Sequence, residues 1–180
     1  MMKSLLHWTV RRFERQWKYD AQYMHDVVNA SPSAVWKFGL LQPMSQHRQD
    51  VSKEAWHAAH LAGALCEDCG PCVQLCIDMA TNDGVAPERL AALIRGDLDD
   101  AGPDAALGFR YGMAVATDAD TVLPLVEEAR ARYGERGLVS LAFSVTTARM
   151  YPTLKRGLGH GAVCAKVLVR DETIAVKRAA

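Results

Sequence analysis

Leu6, Val10, Phe13 and Trp17 recur at helical spacing near the start of the chain, while Arg11, Arg12, Arg15 and Lys18 fall mostly elsewhere on the wheel. Apolar residues three and four apart share one helix face, so this stretch predicts an amphipathic helix that packs on its own domain or on a second subunit. Binding to nucleic acid or to a membrane surface is the competing use of such a basic helix. Ser31-Pro32 supplies an N-cap and a first-turn proline for a helix through Val35, Trp36 and Leu40. Asp50 or Ser52 can cap the next, which carries Trp56, His57, His60, Leu61 and Leu65. Gly84 stops the helix containing Val73, Leu75 and Met79; Pro87 opens one ended by Gly96, and Pro103 opens one through Leu107, Tyr111 and Val115. Helical patterns over 120–133 and 137–150 follow, with Pro152 expected to break the last. Only the tail from Val163 to Val176 has the β-branched character of a short strand or hairpin.

Strands and helices do not alternate, and no linker rich in Gly or Ser divides the chain. The expected fold class is therefore all-α: a helical extension over 1–49, a multi-helix bundle over 50–162 and a tail over 163–180. The 180 residues are 49% hydrophobic and 23% charged, which is ordinary for a folded domain of this length. Lys plus Arg and Asp plus Glu both total 21, so no net field attracts nucleic acid or an anionic membrane. No apolar run approaches the roughly 20 residues of a membrane helix. Arg11 and Arg12 interrupt the first apolar stretch before a signal-peptide core can form, so a cytoplasmic location is expected.

Four of the five cysteines, Cys66, Cys69, Cys72 and Cys76, crowd into eleven residues, with Cys164 remote. In a reducing cytosol such crowding points to chemistry more than to structural staples. Between Cys69 and Cys72 stand Gly70 and Pro71, and proline belongs in the first turn of a helix rather than in its interior. Cys69 then lies near a helix cap and Cys72 in the first turn, where unpaired amides and the helix dipole favour a thiolate. Glu67 and Asp68 oppose this unless their carboxylates point to solvent, because adjacent anions raise thiol pKa values.

Three uses of the cluster follow. The first is a reversible Cys69–Cys72 disulfide. Cys-Gly-Pro-Cys is also found in thioredoxins, but the thioredoxin fold needs a β-strand leading into it, and residues 57–65 are helical with no β-branched residue. The second is an iron–sulfur centre for electron transfer or sensing, since Cys66-x2-Cys69-x2-Cys72-x3-Cys76 matches a bacterial ferredoxin spacing, although Ile77 replaces the usual following proline. A zinc site is disfavoured, because structural zinc usually draws two pairs from separated segments. The third is a non-catalytic helical assembly module, with Cys66 and Cys76 as small core residues.

An Ala-rich helix entering Cys-x-x-Cys, followed by a helix and an all-α remainder, resembles the alkylhydroperoxidase D-like and carboxymuconolactone decarboxylase superfamily. Residues 105–109, 122–124, 138–149 and 157–159 resemble its second helical half, so the likeness spans roughly residues 50–162. It implies a helical homo-oligomer whose Cys69–Cys72 dithiol serves as a peroxidase or disulfide reductase without further cofactor or metal. The substrate would be a small peroxide, or a partner protein or lipoyl disulfide. The family's histidine four residues after the second cysteine is here Cys76, and the position of its upstream glutamate is His57, with Glu54 one turn earlier. His57 is then the first candidate base and Glu67 the second, with His60 and Cys66 as auxiliary groups and Cys76 as an extra resolving thiol. For His57 and His60, ordinary helix packing is an equal alternative.

Overall fold

A computed structural model of the chain describes residues 2–161, 166–169 and 172–175. The fold is all-α with one small hairpin. In chain order the helices are α1 (Met2–Trp17), α2 (Gln22–Ala30), α3 (Pro32–Gly39), α4 (Gln42–Ser45), α5 (Lys53–Leu65), α6 (Gly70–Asn82), α7 (Pro87–Arg95), α8 (Leu98–Ala101), α9 (Pro103–Thr117) and α10 (Val122–Gly157). Antiparallel strands β1 (Lys166–Val169) and β2 (Glu172–Ala175) follow, pairing Val167 with Ile174. Among the described residues no helix is long and apolar enough to cross a membrane.

Helix α5 is the axis of the body. Nine of its residues, from Ala55 to Ala64, are buried, five of them alanines. Small side chains let α9 approach closely: a Cβ at Gly108 would collide with the Ala55 carbonyl, and one at Gly112 would lie 2.8 Å from the Ala59 oxygen. On another side, Gly63 brings α5 against Val145 and Ala148 of α10. The buried hydroxyls at this seam are satisfied, Ser144 donating to the Trp56 carbonyl at 2.8 Å and Ser140 to the Gln49 carbonyl at 3.0 Å.

Three apolar clusters result. One joins α5, α6 and α7 with Val167, Val169 and Ile174 of the hairpin. A second fills the space between α5, α9 and α10 through Leu107, Tyr111, Leu141 and Val145. The third belongs to the N-terminal helices, gathering Val10, Tyr19, Tyr23, Val28 and Val35 against Leu75 of α6 and Leu154 of α10. The hairpin is tied to α6 by the Gln74 amide, which donates to Leu168 O at 2.8 Å and accepts from Leu168 N at 2.7 Å.

Most punctuation follows the expected caps. The Ser31 and Ser52 side chains accept from Ala34 N and Ala55 N, and Gly96 ends α7 with φ +90°. Pro152 corrects its expectation. The helix runs through it to Gly157, and the interruption in α10 falls at Gly134, with φ +68° and ψ −177°. An internal proline deletes one hydrogen bond, and here the residue is buried, so packing holds the helix together. Gly134 instead leaves helical space, which glycine does at no steric cost. Cys164 lies outside the described residues.

Candidate functional site

The turn from α5 to α6 sets the site. Cys66 caps the C-terminus of α5, Asp68 takes a left-handed conformation at φ +55°, and Cys69 is the N-cap of α6. Gly70 and Pro71 occupy the first two helical positions and Cys72 the third, as proline's fixed φ and missing N–H favour. Cys69 and Cys72 are joined by a disulfide, with Cα atoms 5.2 Å apart. Both are largely covered, Cys69 at 8% exposure and Cys72 at 5%.

The charge around the pair departs from expectation. Glu67 does not point to solvent. Its carboxylate is buried and accepts from Arg149 Nε at 2.7 Å, Arg156 Nη2 at 2.7 Å and Thr153 Oγ1 at 3.1 Å. These three residues lie at helical spacing on one face of α10. Burial pushes the Glu67 pKa up, but the hydrogen bonds from Arg149, Arg156 and Thr153 outweigh it and hold the group below its ordinary value. An ionised, doubly paired carboxylate is a poor proton acceptor, so Glu67 acts as a clamp on the turn rather than as a base. Its charge is also compensated, which removes much of its opposition to a nearby thiolate.

His57 lies elsewhere. Its Nε2 is 3.0 Å from Asp83 Oδ2, and Asp83 also pairs with Arg48. Asp83 is the C-cap of α6, a helix length of roughly 20 Å from Cys69 at 1.5 Å per residue. The candidate base His57 thus engages Asp83 at one end of α6, with Cys69 at the other. His60 donates from Nδ1 to Ser144 O at 3.0 Å and stacks on Trp56. Burial and the neighbouring His57 lower its pKa to about 4, so it is a neutral packing group.

The remaining thiols take separate places. Cys66 is half-buried with its Sγ 3.7 Å from Met113 Sδ, and burial pushes its thiol pKa up against the pull of Arg149. Cys76, one turn beyond Cys72, is buried in the α5–α6–α7 cluster and its pKa is pushed up to about 12 by that burial. The four sulfurs therefore do not converge on one centre. Among the described residues no group of three or more His, Cys, Asp or Glu is arranged to hold a metal ion, and the Cys69 and Cys72 sulfurs are bonded to each other.

Comparison with known proteins settles no family. The chain matches no family model, no curated protein and no solved structure. The site stands on its own geometry, and that geometry includes one residue the sequence did not single out. Tyr19, in the turn between α1 and α2, is buried with its hydroxyl 3.7 Å from Cys72 Sγ. Its ring meets Phe13 edge-on at 5.9 Å and carries the Lys155 Nζ 5.3 Å above its centroid. A separation of 53 residues between Tyr19 and Cys72 leaves no periodicity from which to read this contact.

Proposed function

We propose that the protein is a thiol–disulfide oxidoreductase or peroxidase working through the Cys69–Cys72 pair, in the manner of the alkylhydroperoxidase D-like proteins it resembles. The observation that carries the reading is the disulfide across the N-cap and third position of α6. A thiolate formed there faces the positive end of the helix dipole. The alternative purpose of a disulfide, restraining the unfolded chain, is poorly served by a sequence separation of 3: chain entropy gives such a loop only about 2 kcal/mol.

In the peroxidase direction, one thiolate attacks a peroxide oxygen, giving a sulfenic acid and releasing an alcohol. The second thiol displaces water from the sulfenic acid and closes the disulfide. A thiol reductant then reopens it in two exchange steps. The cover over the pair favours slender reactants, a small peroxide or a lipoyl arm, over a folded protein surface. A reducing cytoplasm suits this cycle. Self-association is part of the proposal, supported by the exposed apolar side chains Leu5 and Trp8 on α1 and Trp36 on α3.

The test is turnover with peroxide and a dithiol reductant in Cys69→Ser and Cys72→Ser variants. Each should lose dithiol-dependent turnover. Unchanged turnover in both variants would end the proposal.

A further inference from the structure

Tyr19 is brought to the disulfide by a part of the chain outside the α5–α6 hairpin that builds it. Because Cys72 is disulfide-bonded, its sulfur has no proton to give, so the 3.7 Å contact has the Tyr19 hydroxyl as donor. We infer that Tyr19 is a catalytic hydrogen-bond donor to Cys72, making Cys72 the leaving thiolate and Cys69 the sulfur that is attacked. The assignment rests on the dithiol reading above and names a residue within it.

A thiolate reductant attacks Cys69 Sγ, a new S–S bond forms to Cys69, the Cys69–Cys72 bond breaks and its electron pair goes to Cys72 Sγ. The Tyr19 O–H, already aimed at that atom, then bonds a full negative charge instead of a neutral sulfur, and hydrogen bonds to charged acceptors are the stronger kind. A second thiolate attacks the mixed disulfide, releasing the Cys69 thiolate and the oxidised reductant.

The surroundings fit a donor that keeps its proton. Burial pushes the Tyr19 pKa up to about 12, with Cys76 and Asp20 adding to the rise and Tyr23 opposing it. That is well above an ordinary thiol, so the phenol donates to the thiolate without being deprotonated by it. The residue is held at three points. Its backbone N–H bonds Glu14 O at 3.2 Å, Phe13 meets its edge, and the Lys155 side chain, itself 8% exposed, lies over its face. Lys155 also lies 5.9 Å over the Tyr23 ring, which places positive charge beside both phenols. A donor held this rigidly needs little reorganisation when charge develops.

The test compares wild type with Tyr19→Phe, which keeps the ring, its packing and the lysine above it. Two quantities are read: the rate of disulfide opening by dithiothreitol, and the Cys72 thiol pKa in the reduced protein from thiolate ultraviolet absorbance. Tyr19→Phe should open about tenfold more slowly, with the Cys72 pKa about one unit higher, a tenfold change corresponding to one unit. A residue that merely covers the site would move neither. An unchanged rate and pKa would overturn the Tyr19 assignment and leave the dithiol reading standing; a wild-type disulfide that dithiothreitol does not open would sink both. Wild-type protein supplies a second measurement that needs no variant. Brief treatment with a monothiol followed by alkylation should place the mixed disulfide on Cys69 and the alkyl group on Cys72, and the reverse placement would overturn the assignment.

Discussion

Glu67 gathers two guanidiniums and a threonine hydroxyl onto one carboxylate whose side chain is 5% exposed, and so fastens the turn before Cys69 to α10. Arg149 and Arg156 are themselves 40% and 55% exposed, so solvent screens part of this attraction. Glu67→Gln should therefore cost about 1–3 kcal/mol, nearer the lower end, read as a shift in the denaturation midpoint. The pH dependence has a definite sign. A carboxyl whose folded pKa is depressed contributes fully above its ordinary value of 4.5 and loses that contribution as pH falls through the folded value. The wild-type advantage over Glu67→Gln should thus shrink in that acid window, and a constant difference would contradict the clamp. His60 acts over a neighbouring range. Its folded pKa of about 4 lies below 6.5, so the unfolded chain binds the proton first and stability falls from pH 6.5 toward 4. His60→Gln should flatten that part of the thermal stability profile. The chemistry-bearing types and the Cys69–Cys72 pairing were legible from spacing and from Pro71. The partners of Glu67 and the phenol over Cys72 were not, because they come from segments more than fifty residues away.

Helix contacts here are decided by missing side chains. Gly108 and Gly112 of α9 let its backbone meet Ala55 and Ala59 of α5, so a methyl at either position must push the helices apart. Gly108→Ala should destabilise by about 1–3 kcal/mol through overpacking, despite alanine's better helix propensity. Gly39→Ala on α3, where nothing lies within 4 Å, is the matched control and should be neutral or stabilising by up to about 1 kcal/mol. Equal effects at the two sites, read by thermal unfolding, would show that propensity and not close approach sets the spacing. Helix ends at Ser31, Ser52, Pro87, Gly96 and Pro103 were readable from the chain because caps and prolines act locally. Pro152 misleads for the same reason. Its local penalty is real, but its own burial and the Glu67 anchors on either side of it, Arg149 and Arg156, keep α10 continuous.

At the scale of the whole molecule, the three apolar clusters are unequal. The two around α5 share that helix and draw on α6, α7, α9 and α10, whereas the N-terminal cluster reaches the body through Leu75 and Leu154. The change near residue 50, from a basic amphipathic pattern to an alanine-rich buried helix, is visible in the sequence. That the first part lies over the cysteines is not, since an amphipathic stripe states that a face is buried without saying against what. A layer with its own small core should open at lower free energy than the body beneath it. Native-state hydrogen exchange should then show the amides of α1, α2 and α3 exchanging together, faster than those of α5 and α9. Reduction of the disulfide adds a second expectation. If Tyr19 donates to Cys72 as proposed, then at a pH where the reduced Cys72 is ionised that bond is stronger than one to a neutral sulfur, and the N-terminal amides should be better protected in the reduced protein than in the oxidised one. Protection that is uniform across the chain would make the N-terminal helices an integral part of the bundle. Protection that falls on reduction would mean that the disulfide, and not the phenol, holds the layer in place.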